Sequence, residues 1–122
     1  MKSCSNEYQE AHKKRVEDTK ASVLKGQILE KMCLLLKVLG EPSRMKIALA
    51  LLNGELCVYH IVDAVAGNQS AVSHQLRILK DSGAISCRRE GQNILYSIAD
   101  SHVREIIEVA KAHAYCESEN KL

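Results

Sequence analysis

Apolar positions along this chain change period twice. Residues 1–20 show no apolar rhythm, only a dense alternation of polar and charged side chains, which predicts a flexible or partly helical arm that orders against a partner. From Gln27 onward Ile28, Met32, Leu35, Leu36 and Leu39 recur at helical spacing until Gly40, the pattern of a buried helix closed by a glycine. Pro42 then opens a second helix near its first position, where its missing N–H is harmless, and Ile47, Ala48, Leu51 and Leu52 form the inner face up to Asn53-Gly54. A third helix is predicted over about residues 57–66 before Gly67-Asn68, and a fourth begins almost at once. Gln69-Ser70 starts it, with Ser70 as the expected N-cap, and Val72, Leu76 and Leu79 point inward until Ser82-Gly83. Two short helices joined by a tight glycine-containing turn make a helix-turn-helix. The period then falls to two: residues 84–89 and 93–98 read as strands around Glu90-Gly91-Gln92, a hairpin placed as a wing. Helical spacing returns over residues 100–117, with Val103, Ile106, Ile107, Ala110 and Ala114 along one stripe that wants a partner.

Composition narrows this to one small, mostly helical domain. At 122 residues with no Phe, no Trp and four Tyr, the core must be built from aliphatic side chains. The expected organisation is an arm over 1–20, a winged helix-turn-helix with dimerising terminal helices over 21–117, and a tail over 118–122. The N-terminus is charged throughout, and no apolar run approaches the roughly 20 residues of a membrane span, so a cytoplasmic protein with no membrane partner is expected. The five cysteines, Cys4, Cys33, Cys57, Cys87 and Cys116, are an odd number, which suits reduced thiols and makes them possible metal ligands. Cys33 and Cys87, on a helix and a wing strand, read as structural.

A net charge of +2 is too small to argue for nucleic acid by itself, so the placement of charge decides. The outward positions of the fourth helix are Gln69, Ser70, Ser73, His74, Gln75, Arg77 and Lys80, short polar or basic groups suited to base edges and phosphates in a major groove. Arg88 and Arg89 near the wing's tip would meet phosphate or the neighbouring minor groove. Glycine-rich phosphate loops, a nucleophile with a positioned base and a pocket of paired carboxylates are all absent from the pattern, which argues against an enzyme.

Three runs, LGEPSRMKIALALLNGELCV, QSAVSHQLRILKDSGAI and RREGQNILYSIAD, resemble the ArsR/SmtB family of winged-helix, metal-responsive transcriptional repressors. The resemblance implies a homodimer that binds operator DNA when apo and releases it when an inducer binds. It also implies a metal site on the terminal helix at Asp100, His102 and His113, with Cys116 standing where a Glu or His is usual. His102 and His113 are roughly 16 Å apart along one helix but only about 20° apart around it, so one helix cannot close such a site. Antiparallel pairing would bring Asp100 and His102 of one subunit beside His113 and Cys116 of the other, giving four donors per site. Two imidazoles, a carboxylate and a thiolate suit tetrahedral Zn²⁺, and the sulfur extends the range toward Cd²⁺ and Co²⁺, with Ni²⁺ as a further candidate ion. The resemblance further implies a hydrogen bond from the non-ligating nitrogen of His113 toward the recognition helix.

A second site used by some of the family corresponds here to ELCVYH. Cys57 is retained, Tyr59 replaces a thiol, and His60 takes the place of an Asp; Cys4 and His12 on the arm would complete a set favouring softer ions such as Cd²⁺ or Pb²⁺. The competing reading for Cys57 and His60 is a small buried hydrophobe beside a surface histidine. The alternative for the whole chain is a repressor answering to thiol oxidation or persulfide through Cys57 with Cys116, or Cys4 with Cys57.

Overall fold

A computed structural model of the chain describes residues 6–23 and 25–119. It divides into two compact units, one ending at Met32 and one beginning at Cys33. In the first, α1 (Asn6–Ser22) carries eight charged side chains among its 17 residues and buries none of them. Helix α2 (Gly26–Leu39) begins in the first unit and ends in the second.

The second unit holds α3 (Pro42–Leu51), β1 (Leu56–Cys57), α4 (Val58–Val65), α5 (Gln69–Asp81), β2 (Ile85–Glu90), β3 (Asn93–Ile98) and α6 (Ser101–Glu119). Its core is aliphatic as expected: Ile47 and Leu51 of α3, Ile61 of α4, Leu76 and Leu79 of α5 and Ile107 of α6 are fully buried. Glu41 caps α3, its carboxylate accepting from the Arg44 amide at 3.0 Å, and Pro42 follows in the first turn. Hydrogen bonds from the Ser43 amide and then the Arg44 amide hold the Glu41 carboxyl below the usual carboxylate range.

The sheet is antiparallel with order β1-β3-β2. The wing pairs from Ile85 with Ile98 to Glu90 with Asn93, and Gly91, at φ +62°, supplies the left-handed residue the tight connection requires. Strand β1 was not expected, because two residues are too few to show a period; its pairing of Leu56 with Tyr96 and Cys57 with Leu95 ties the helix-turn-helix to the wing.

Two expectations are corrected. The N-cap of α5 is Asn68, whose Oδ1 accepts from the Ala71 amide at 2.9 Å, so Ser70 lies within the first turn. Asn68 wins because it still has extended backbone, whereas Ser70 is already helical. Helix α2, read as buried, buries only Val38 and Leu39, while Ile28, Met32 and Leu36 are each about half exposed. Its apolar stripe is real, but the described residues of one chain leave it uncovered. Among the described residues no helix is long and apolar enough to cross a membrane.

Candidate nucleic-acid interface and metal centre

The turn that sets α5 against α4 is held by a close approach. A Cβ on Gly67 would meet Val72 Cγ2 at 3.1 Å, and Ala66 before it adopts the left-handed conformation, with φ 55°. With Val72, Leu76 and Leu79 buried, Gln69, Ser70, Ser73, His74, Arg77 and Lys80 are turned to solvent. Gln75 departs from this set. It is half-buried, and its Oε1 accepts from Arg44 Nη1 at 3.2 Å while Arg44 Nε donates to the Val38 carbonyl at 2.7 Å. A guanidinium has only hydrogens to offer, so it fixes which end of the amide faces it.

The wing's two arginines separate in the same way. Arg88 is gripped by Glu55, Nε to Oε2 and Nη2 to Oε1, both at 2.8 Å, and Nη2 lies 3.0 Å from Glu90 Oε2. The bidentate bond holds the Glu55 carboxyl below its ordinary value and pushes Arg88 further up. Arg88 thus fastens the wing to the segment before β1. Arg89, on the opposite side of the strand, is exposed.

Asp100 precedes α6 and caps it, Oδ1 accepting from the Val103 amide at 2.9 Å, and the same oxygen lies 3.8 Å from His102 Nδ1. At the other end of α6, His113 Nε2 lies 3.6 Å from Glu117 Oε2. Both imidazoles are well exposed and border one shallow groove with Glu105, Ile106, Val109 and Ala110. Cys116 is exposed beside them in sequence. Among the described residues, no three or more His, Cys, Asp or Glu side chains of one chain converge on a point where an ion would bind. The donors therefore form two half-sets, one at each end of α6. Glu117 was missed from sequence, although its spacing of four from His113 puts the two on one face.

For the second candidate site, Cys57 Sγ lies 3.5 Å from His60 Nδ1. Cys57 is half-buried at the start of α4 and His60 is exposed. His12 lies in the first unit, stacked on Tyr8 with ring centroids 6.1 Å apart, and Cys4 lies outside the described residues.

Residues 41–86, which run from the cap of α3 into β2, match the family described as bacterial regulatory protein, arsR family. The chain is 35% identical over 102 residues to a transcriptional repressor SmtB homolog of Synechocystis, covering 84% of this chain and 77% of that one. The chain belongs to the arsR family of bacterial transcriptional regulators. It is also 34% identical to a cadmium resistance transcriptional regulatory protein CadC homolog of Staphylococcus aureus, over 84% of each chain. In structure it resembles a homodimeric winged helix-turn-helix DNA-binding domain of Mycobacterium bovis, with a TM-score of 0.72 at 29% identity, over 75% of this chain and 85% of that one. Membership in this family of regulators, rather than any feature of a pocket, sets enzymatic readings aside.

Proposed function

We propose that this protein is a cytoplasmic, metal-responsive repressor that binds operator DNA as an apo homodimer and is released by a divalent ion of the Zn²⁺, Cd²⁺ or Co²⁺ class held between two α6 helices. The observation that carries the reading is the division of candidate donors along α6 and its cap: Asp100 and His102 at one end, His113 and Cys116 at the other, all at exposed positions. Neither half-set binds tightly alone, and antiparallel α6 helices would supply both halves twice. The donor chemistry fits a dication, since imidazole, carboxylate and thiolate are the ordinary ligands of zinc and its softer relatives, and such an ion fixes its donors in one tetrahedral shell. Exposed Ile106 and Val109 beside the histidines, and the bare face of α2, support a twofold contact along these helices. The homodimer among its structural relatives and the cadmium-resistance relative agree with this reading.

DNA would be read by Gln69, Ser70, Ser73, His74 and Arg77 on α5, with Arg89 on the backbone. Gln75 and Arg88 contribute by holding α5 and the wing in place. Cys57 and His60 form the nucleus of an optional second site, with Cys4 and His12 as the other donors and Pb²⁺ or Cd²⁺ as the favoured ions. The contact of the Cys57 thiol with an imidazole also favours, as a second reading, release by thiol oxidation. Titration of the apo protein with Co²⁺, Zn²⁺, Cd²⁺ and Ni²⁺, following release of a DNA fragment selected from a random duplex library, tests the proposal. Cobalt–thiolate absorption should disappear in Cys116→Ser and persist in Cys57→Ser. Release by oxidant, with no response to any metal, would support the redox reading instead.

A further inference from the structure

The two ends of α6 are held very differently. Near its start Val103 and Ile107 enter the core, and between them Arg104 Nη1 donates to the Leu52 carbonyl at 2.9 Å, at the C-terminal end of α3. From Glu108 to Glu119 every residue is exposed, and an open groove of about 520 Å³, lined by Met45, Leu49, Ile107, Ala110 and Tyr115 among others, separates this half of α6 from α3. Asp100 and His102 therefore belong to the half of α6 that packs into the core, and His113 and Cys116 to its exposed half.

Helix α3 continues from the anchor. Its ten residues make a rod about 15 Å long. One end accepts Arg104 from α6; near the other, Arg44 grips Gln75 of α5 and the Val38 carbonyl of α2. The Arg104 contact is favoured twice, as a charged donor to a carbonyl and as a cation at a helix C-terminus. Two hydrogen bonds thus tie the metal-bearing helix to one end of a rigid element and the DNA-reading helix to the other.

We propose that Arg104 and Arg44 are positioning residues that couple the two sites, with α3 as the rod between them. This rests on the metal-repressor reading above. Capture of a partner's exposed half-set by Asp100 and His102 would reorient the first turns of α6, move Arg104 against Leu52, and shift α5 through Arg44 and Gln75. Coupling requires such an element to have two arrangements whose balance both ligands bias.

The test uses the full-length protein and the library-selected duplex. The wild type is measured first: failure of apo protein to bind DNA, or of Zn²⁺ and Co²⁺ to weaken binding at least about fivefold, sinks the underlying function rather than the coupling route. In Arg104→Met, which keeps the aliphatic stem, cobalt absorption, metal stoichiometry and apo DNA affinity should stay within about threefold of wild type. The metal-induced loss of DNA affinity should shrink about tenfold, and Arg104→Lys, which can still donate to the carbonyl, should recover part of it. Arg44→Met should give the same loss from the other end of α3, and the double variant should be no worse than either single one. Full metal-induced release in either methionine variant would overturn the proposal, as would loss of metal binding in Arg104→Met. Should Arg104→Met fail to fold, Arg104→Lys and Arg44→Met still decide the matter by the same readout.

Discussion

Arg88 and Arg89 are neighbours of identical chemistry whose surroundings assign them different tasks. Arg88 is committed to Glu55 through two short hydrogen bonds, whereas Arg89, on the opposite face of the strand near its end, is exposed and is not held by Glu55. Replacing Arg89 by Ala should weaken DNA binding uniformly across sequences and reduce the slope of log affinity against log salt by about one phosphate contact. Arg88→Ala should leave that slope unchanged; equal slope losses in both variants would show that DNA draws Arg88 away from Glu55. The same pair fixes a pH dependence. The Glu55 carboxyl is lowered from 4.5, chiefly by the hydrogen bond from Arg88, so its tie to the wing is complete above that value and is lost as pH falls through the lower folded value. An NMR titration should find the Glu55 midpoint below 4.5 in the wild type and back near it in Arg88→Met.

Ala66 ends α4 in the left-handed region, where a Cβ is disfavoured, while Gly67 beside it has no such φ and serves instead to let Val72 come close. Ala66→Gly should therefore stabilise the protein by about 1 kcal/mol, read from denaturant midpoints, because relief of left-handed strain outweighs the added unfolded-state entropy. A lower midpoint would mean that the alanine methyl packs better than its exposure indicates. The same turn shows what sequence can carry at the level of elements. The Gly67-Asn68 break, the inward set Val72, Leu76 and Leu79 and the two wing strands were legible because each follows a period or a turn preference that acts locally. Strand β1, the Asn68 cap and the left-handed Ala66 were not, because two residues show no period and several neighbouring residues could have capped the helix. At the candidate site the proposed donors on α6 are legible as residue types at helical spacing, and the fold places them at exposed positions on that helix and its cap. The occupations of Arg88 and Gln75 were hidden, since Glu55 and Arg44 lie more than thirty residues from them in sequence and meet them only through the fold.

For the whole molecule, the deciding quantity is the apolar surface that one chain leaves uncovered. Val109 is 66% exposed on α6 and Ile28 is 56% exposed on α2, in helices whose other faces are built into a core or bordered by charge. Exposed stripes of this kind on a small regulator mark an interface, and a twofold contact uses the same stripe from both chains. Each proposed metal shell would then need the contact to exist, because one α6 cannot close it. Val109→Glu would put two like charges into the proposed seam without altering any donor or any residue of the core. The variant should sediment as a monomer at concentrations where the wild type is a dimer, keep its helical circular dichroism, and bind Co²⁺ at least about 100-fold more weakly, with loss of the thiolate absorption. DNA affinity should collapse as well, since a single α5 reaches one half-site only. Monomers that still bound Co²⁺ tightly through sulfur would require a shell closed within one chain, with Glu117 or Glu105 beside the histidines as the available carboxylates. That outcome would detach metal binding from dimerisation, and with it any route by which the ion could act on DNA through the twofold contact.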